Sequence, residues 1–286
     1  MHERALRPAK ISHAIALFDR PVRDGSGLEF TYSITPGGLS VAAQRGSSVA
    51  TAALEWIFGA GTLAFTPVGR HNGKYFEHRV SWYSASQRPG MTLGHPAKSP
   101  SSADAALGQV QSEETIFRCF NCHATGAKPG LDLSGMQPGV QCERCHGPAS
   151  EHTSKPTKRN IVKLTGLPAK DSIQTCAECH RMPAESAQAT PPEVDDPLSI
   201  RFAPLGLMAS KCFQVGGAIK CVTCHDPHGG PRPTQTDFEN KCRGCHAPAS
   251  HFQSGCLNCH MRKFTPVPDL TFTDHRIRVY PAALKN

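Results

Sequence analysis

The chain has 286 residues, which is enough for one or two domains. Only 38% of the residues are hydrophobic, and Gly and Pro are frequent at 25 and 24 residues. This composition disfavours a large core built from protein side chains alone. The formal charge of +8 is scattered along the chain, and no apolar stretch is long enough to span a membrane.

Residues 1–24 form an N-terminal segment without a recognisable secretion signal. The stretch ISHAIALF is too short for the apolar region of a signal peptide, and it contains a histidine.

Residues 25–112 are predicted to hold a small antiparallel β-rich domain and a linker. Four stretches are β-branched or aromatic and partly alternating, which indicates strands. They are LEFTYSIT (28–35), GLSVAAQ (38–44), TLAFTPV (62–68) and KYFEHRVSWYS (74–84). The stretch GSSVATAALEWIFGAG is compatible with a strand or a short helix. Residues 93–112 are rich in Pro, Ser and Ala, and we expect them to be a linker.

Residues 113–286 are predicted to form a mainly α-helical and irregular domain, which makes the fold class mixed. SEETIFRCFNCH predicts a helix that begins at Ser112, with Glu114 in its first turn. The gap 181–220 contains ATPPEVDDP, a polar loop sequence. The tail TFTDHRIRVYPAALKN is predicted to be extended or irregular.

One motif, Cys-x-x-Cys-His, occurs six times in this second part of the chain. Two thiols three residues apart lie on one face of a helical turn, where they can form thioethers to the two vinyl groups of one porphyrin. The following imidazole then reaches the iron. The motifs are Cys119–Cys122–His123, Cys142–Cys145–His146, Cys176–Cys179–His180, Cys221–Cys224–His225, Cys242–Cys245–His246 and Cys256–Cys259–His260. The motif predicts six covalent c-type haems.

Other uses of paired cysteines explain this pattern less well. A zinc ribbon also uses Cys-x-x-Cys, but it does not require His as the next residue each time. A thioredoxin-like pair would occur once, and a disulfide framework would not repeat one spacing six times.

Six porphyrins change what the composition implies, because these large apolar plates can serve as the core of the domain. Two propionates per haem, partly offset by the charge of the ferric centre, change the net charge by about −6 in the oxidised protein. The basic polypeptide is therefore poor evidence for nucleic acid, and we expect no nucleic-acid partner.

Low-spin haems need a second axial ligand, and nine of the 15 histidines lie outside the motifs. Six of these are candidate distal ligands: His228, His275, His152, His95, His13 and His251. His228 follows the fourth motif by three residues, so it is expected to reach a neighbouring haem rather than its own. His71 and His78 lie on the predicted strands, and we expect them at the protein surface. The methionines are expected to pack rather than to bind iron.

Cys212 is the cysteine that no motif uses. The first interpretation is a buried, inert thiol. A haem ligand, or a thiol beside a reactive site, is the alternative.

The chain resembles the multihaem cytochromes c related to the tetrahaem electron acceptor of hydroxylamine oxidisers and to the electron donor of periplasmic nitrite reductase. The segments that carry the resemblance are FRCFNCHATG, VQCERCHGPASEH, CVTCHDPHG, CLNCHMRK and FTDHRI, within about residues 113–278. The resemblance implies that His228 and His275 are distal ligands. It also implies a further upstream haem motif, with His13 as a ligand, so we expect the chain to begin downstream of its true start.

Electron transfer through haems with two histidine ligands is the leading functional hypothesis. The alternative is a reductase or oxidase of a small nitrogen or sulfur compound, with one five-coordinate haem. Expected partners are redox proteins, including other cytochromes or a membrane quinol oxidoreductase, and an oligomer or larger assembly is also considered. Covalent haem attachment predicts a periplasmic or extracellular location.

Overall fold

The computed structural model describes residues 2–11, 18–24, 27–35, 38–181, 202–229, 233–246 and 255–280. The chain divides into two compact units, Met1–Arg144 and Cys145–Asn286. The predicted division after residue 112 rests on cysteine content and stays a prediction.

In its described part, the first unit contains a sheet of ten antiparallel strands. They are β1 (Leu6–Pro8), β2 (Val22–Arg23), β3 (Leu28–Thr35), β4 (Gly38–Arg45), β5 (Ser48–Phe58), β6 (Ala64–His71), β7 (Lys74–His78), β8 (Val80–Tyr83), β9 (Arg88–Met91) and β10 (Gly108–Val110). The main path runs β10-β7-β6-β5-β4-β3-β2, and β8 pairs with β6 and β9. β1 pairs with the end of β5, beyond the part that pairs with β4.

The strands follow the alternation of their side chains. Leu39, Val41 and Ala43 of β4 are buried, and they lie on one face of the sheet because successive side chains of a strand point to opposite faces. Phe30 of β3 and Leu54 of β5 join the same cluster of buried residues. The predicted antiparallel strands are confirmed, and the stretch that was compatible with strand or helix forms β5.

The predicted linker at residues 93–112 is wrong in its second half. Helix α1 (Ala103–Leu107) begins there and is followed directly by β10, which pairs with β7. Ser102 caps the helix by accepting a hydrogen bond from the backbone N of Ala105, and Ala106 and Leu107 are buried. A five-residue helix shows too little periodicity to be found in a Ser/Ala-rich stretch.

Gly108 joins α1 to β10 at a point where a side chain has no room. Its φ is +152°, and a Cβ would overlap the carbonyl oxygen of Glu77. We expect Gly108→Ala to lower the free energy of unfolding by about 2–3 kcal/mol, measured by guanidinium unfolding. Gly73→Ala is the control, because Gly73 also has a positive φ, +76°, but no atom lies within 4 Å of its Cβ position. Equal losses for the two variants would contradict the overlap as the cause.

Helix α2 (Glu113–His123) packs on the sheet of the first unit. Its predicted start is confirmed, since the Ser112 side chain accepts a hydrogen bond from the backbone N of Thr115. Ile116 and Phe120 are 1% and 0% exposed, and the Phe120 ring contacts Phe58 with centroids 5.3 Å apart. Burial of such a side chain contributes about 2–3 kcal/mol. Two short strands, β11 (Ala124–Thr125) and β12 (Gln137–Pro138), pair after the helix.

The second unit consists of short helices and one hairpin in its described part. The helices are α3 (Cys142–His146, which begins in the first unit), α4 (Ser150–Ser154), α5 (Ala169–His180), α6 (Ala203–Met208), α7 (Lys211–Gly216), α8 (Cys221–Cys224), α9 (Gln235–Arg243) and α10 (Cys256–His260). β13 (Lys263–Val267) and β14 (Leu270–Thr273) form the hairpin. The tail was predicted to be extended or irregular, and its first three residues, 271–273, are extended as part of β14.

Both clusters of buried hydrophobic residues found among the described residues lie in the first unit. The second unit has single buried side chains, such as Ile173 and Leu207. Among the helices described, none has the length and low polarity that crossing a bilayer requires.

Candidate haem-attachment sites

Each Cys-x-x-Cys-His motif lies on a helix or at its end. The motifs occupy the last turns of α2 and α5, and the whole of α3 and α10. The fourth motif forms α8, with His225 as its C-cap. The fifth begins at the end of α9, and its helical hydrogen bonding continues, because the backbone N of His246 donates to Cys242 O. All twelve motif cysteines are exposed or half-buried, as attachment to a porphyrin edge requires.

Among the described residues, no three His, Cys, Asp or Glu side chains converge in a way that could hold a metal ion. The motif cysteines lie on different helices.

Three motif histidines are oriented by backbone carbonyls. Nδ1 of His123, His146 and His260 donates to Ala5 O, Val162 O and Arg278 O at 3.0, 2.7 and 3.1 Å. A carbonyl only accepts, so the proton sits on Nδ1 and the lone pair on Nε2. This tautomer is the one in which Nε2 binds a metal.

His228 lies beside the second motif rather than the fourth. Its ring is nearly parallel to that of His146, at an interplanar angle of 12° with centroids 5.9 Å apart. Nδ1 of His228 lies 3.4 Å from Asp226 Oδ1, which favours Nε2 as the free donor atom. Two imidazoles bound on opposite sides of one iron, each at about 2 Å, have ring centroids about 6 Å apart. The separation of the two rings is therefore compatible with one haem.

His275 lies beside the fourth motif in a similar way. The centroids of the His225 and His275 rings are 6.2 Å apart, and Nδ1 of His275 donates to Thr273 O at 3.0 Å. Burial, and then the nearby His225, lower the pKa of His275. The neutral imidazole that iron requires is therefore favoured.

The other candidate distal ligands either contact protein groups or lie outside the described residues. Nδ1 of His152 donates to Asn160 Oδ1 at 3.0 Å. His95 is buried in the first unit, with Nε2 3.3 Å from Glu77 Oε2. His13 and His251 lie outside the described residues. The ligand roles of these four histidines stay predictions, as do those of His228 and His275.

His78 corrects the expectation of a surface role. It is 0% exposed, its Nδ1 donates to Leu107 O at 2.6 Å, and its Nε2 accepts from the Tyr32 hydroxyl at 2.8 Å. Both nitrogens have protein partners, so His78 supports the sheet. The position of α1, which supplies Leu107 and was not predicted, explains why the sequence did not reveal this burial. His71 is partly exposed and pairs with Asp104 at 3.0 Å.

The third and fourth motifs are neighbours. The thiols of Cys176 and Cys221 interact, which raises the pKa of Cys176 and lowers that of Cys221. Lys220, next to Cys221, donates from Nζ to Thr165 O at 3.0 Å and to Leu167 O at 2.6 Å, just before α5 begins. Lys220 therefore links α8 to the loop that leads into α5.

We expect Lys220→Met to lower the free energy of unfolding by about 2 kcal/mol, because two hydrogen bonds from a charged group are lost. Urea unfolding followed by circular dichroism measures the change. Lys170→Met, an exposed lysine at the start of α5, is the control, and we expect it to change the stability little. A Lys220 variant as stable as the Lys170 variant would refute the linking role.

Cys212 is half-buried in α7 rather than fully buried. Burial raises the pKa of the Cys224 thiol, and the nearby Cys212 raises it further. The function of Cys212 stays open. It is an inert thiol, or it is a haem ligand or a thiol beside a reactive site.

Arg278 carries a polar atom that suits a cofactor carboxylate. Its Nε is buried and has no hydrogen-bond partner among the described residues, while its carbonyl orients His260. A haem propionate is a group that would satisfy such a donor.

Comparisons with known proteins find similarity to cytochromes. The family model described as cytochrome c554 and c-prime matches residues 75–147, about a quarter of the chain, which includes the first two motifs. The multihaem cytochrome MtrA of Shewanella baltica (strain OS185) is 25% identical over 180 residues, covering 57% of this chain and 46% of that protein. The chain thus spans about half the length of this curated relative.

A structural comparison gives a weaker likeness. The crystal structure of the outer cell wall cytochrome OcwA is 14% identical, covers 79% of this chain and 68% of its own, and has a TM-score of 0.47. The two sequence matches are to a cytochrome c family model and to a multihaem cytochrome, and together they support a multihaem cytochrome with haem c as its cofactor.

Proposed function

We propose that the protein is a multihaem c-type cytochrome that carries electrons through six covalently bound haems, most of them with two histidine ligands. The observation that carries the proposal is the pairing of a motif histidine with a distant histidine, at 5.9 Å for His146 and His228 and 6.2 Å for His225 and His275. The finer relation to the cytochromes of hydroxylamine oxidisers is part of this proposal.

The haem iron supplies reversible one-electron chemistry when bound. The chain's own residues fix the cofactors and set their properties. The two thiols of each motif would hold the haem, and a histidine from elsewhere in the chain would bind its iron and exclude exogenous ligands. The acceptors of the Nδ1 protons, which are carbonyls at His123, His146 and His260, keep each ring oriented and raise its basicity.

Mass spectrometry together with visible and EPR spectroscopy of the purified protein tests this function. We expect a mass increase equal to six haems and predominantly low-spin ferric signals. A predominantly high-spin spectrum would contradict electron transfer by bis-histidine haems, and it would direct attention to reduction or oxidation of a small nitrogen or sulfur compound.

We also propose a periplasmic or extracellular location, with other redox proteins as partners. Support comes from the six attachment motifs, because haem is joined to such motifs outside the cytoplasm. The proposed partners are other cytochromes or a membrane quinol oxidoreductase. Size-exclusion chromatography with light scattering distinguishes a monomer from a larger assembly.

A further inference from the structure

One short segment near the C-terminus, residues 274–280, is linked to two proposed haem ligands. His275 itself lies there, and the same segment orients His260, the histidine of the sixth motif. The backbone N of Arg278 donates to His260 O at 3.1 Å, and His260 Nδ1 donates back to Arg278 O at 3.1 Å. The two ligands are 15 residues apart in sequence, yet both depend on residues 274–280.

A buried carboxylate organises this segment. Asp274 is 9% exposed. Its Oδ2 accepts from the Tyr280 hydroxyl at 2.6 Å and lies 3.4 Å from Arg278 Nη2, while its Oδ1 accepts from the backbone N of Arg276 at 2.8 Å. A charge removed from water needs such partners, so the loss of one of them perturbs the whole segment.

Tyr280 connects the segment to the end of the sixth motif. Its ring lies under the guanidinium groups of Arg262 and Arg278, 5.0 and 4.7 Å from the ring centroid. Arg262 follows His260 by two residues, and its carbonyl accepts from the backbone N of Asp274 at 2.9 Å. Burial, and then the bond to Asp274, raise the pKa of Tyr280 to about 12, so its hydroxyl stays a donor.

Helix α6 packs closely against the same segment. A Cβ on Gly206 would lie 3.0 Å from the backbone N of Arg276 and 3.1 Å from the carbonyl carbon of His275. Three residues span at most about 10 Å, so a displacement at Arg278 is transmitted to His275. The segment has little room to adjust one ligand and leave the other in place.

We propose that Asp274, Tyr280 and Arg278 form one positioning cluster that sets axial ligands of two haems together: His275 on the haem of the fourth motif and His260 on the haem of the sixth. The three side chains orient ligands and do not bind iron themselves. This inference rests on the proposed function, because it requires both histidines to be haem ligands.

The Tyr280→Phe holoprotein tests the cluster, since it removes the hydroxyl and keeps the ring. We expect all six haems to remain attached, and we expect the low-spin EPR signals and midpoint potentials of two of the six to change. Tyr83→Phe is the matched control, because Tyr83 donates its hydroxyl to Met91 O at 2.5 Å in the first unit. We expect that control to leave every haem signal unchanged.

A second variant assigns the two haems. His275→Ala alone alters the haem of the fourth motif, and adding Tyr280→Phe is expected to change one further haem. Arg278→Lys, which keeps the positive charge but shortens its reach to Asp274, is expected to alter the same two signals.

The proposal is overturned if Tyr280→Phe and Arg278→Lys change one haem signal or none, or if Tyr83→Phe has the same effect. Its failure is distinguishable from failure of the proposed function. A predominantly high-spin wild-type protein removes the function itself, whereas a predominantly low-spin protein whose haem signals are unaffected by these variants removes only the cluster.

Discussion

Replacing His228 with Ala is expected to convert one of the six haems, that of the second motif, from low-spin to high-spin. The ring of His228 faces His146 at 5.9 Å, and methyl is no ligand, so the iron on His146 loses its sixth donor. EPR and magnetic circular dichroism of the ferric protein measure the conversion. His71→Ala is the control, because His71 is partly exposed on β6 and pairs with Asp104.

A double variant tests which haem responds. His275 faces His225 at 6.2 Å, so His275→Ala is expected to convert a different haem, and the two substitutions together are expected to yield two high-spin haems. One high-spin haem in the double variant would show that both histidines serve the same iron. An unchanged spectrum in His228→Ala would show that His228 does not bind a haem iron.

Acidification is expected to destabilise the first unit through His78. Burial, and to a lesser extent the nearby His95, lower the pKa of His78 to about 4, although its bond to Leu107 O opposes the shift. The unfolded chain has a pKa of about 6.5 and binds the proton more readily. Stability from this group is therefore complete above pH 6.5 and declines as the pH falls towards 4, by about 3 kcal/mol in total.

Denaturant unfolding of the protein at pH 7 and pH 4.5 measures this loss. His78→Gln is the matched variant, because an amide offers a donor and an acceptor but does not titrate in this range. We expect the variant to be less stable at pH 7 and to lose less on acidification than the wild type. Equal losses in both proteins would mean that other groups cause the acid sensitivity.

Local sequence patterns were sufficient to predict the elements that are defined by neighbouring residues. The alternation in β4, with Leu39, Val41 and Ala43 buried, predicted a strand, and Ser112 predicted the start of α2. Short elements that depend on distant partners were missed. β1 has three residues and exists through its pairing with β5, and α1 is held by burial of Ala106 and Leu107 rather than by its own propensity.

The candidate site shows the same limit. The motif spacing is local, so the sequence predicted each thiol pair and each proximal histidine. The distal histidines were predicted as a set without haems assigned, because which rings face each other depends on chain packing. His228 and His275 were matched to His146 and His225 only by the ring distances.

The bond from His123 to Ala5 O has a consequence for the order of assembly. It joins residues 118 positions apart, whereas the equivalent bonds of His146 and His260 span 16 and 18. Ala5 is brought to His123 by β1, which needs β5 already in the sheet. Contacts across long separations form late because loop closure costs entropy before they are made. His123 therefore gains its orienting bond only after the sheet has folded, whereas the orienting bonds of His146 and His260 need only nearby chain.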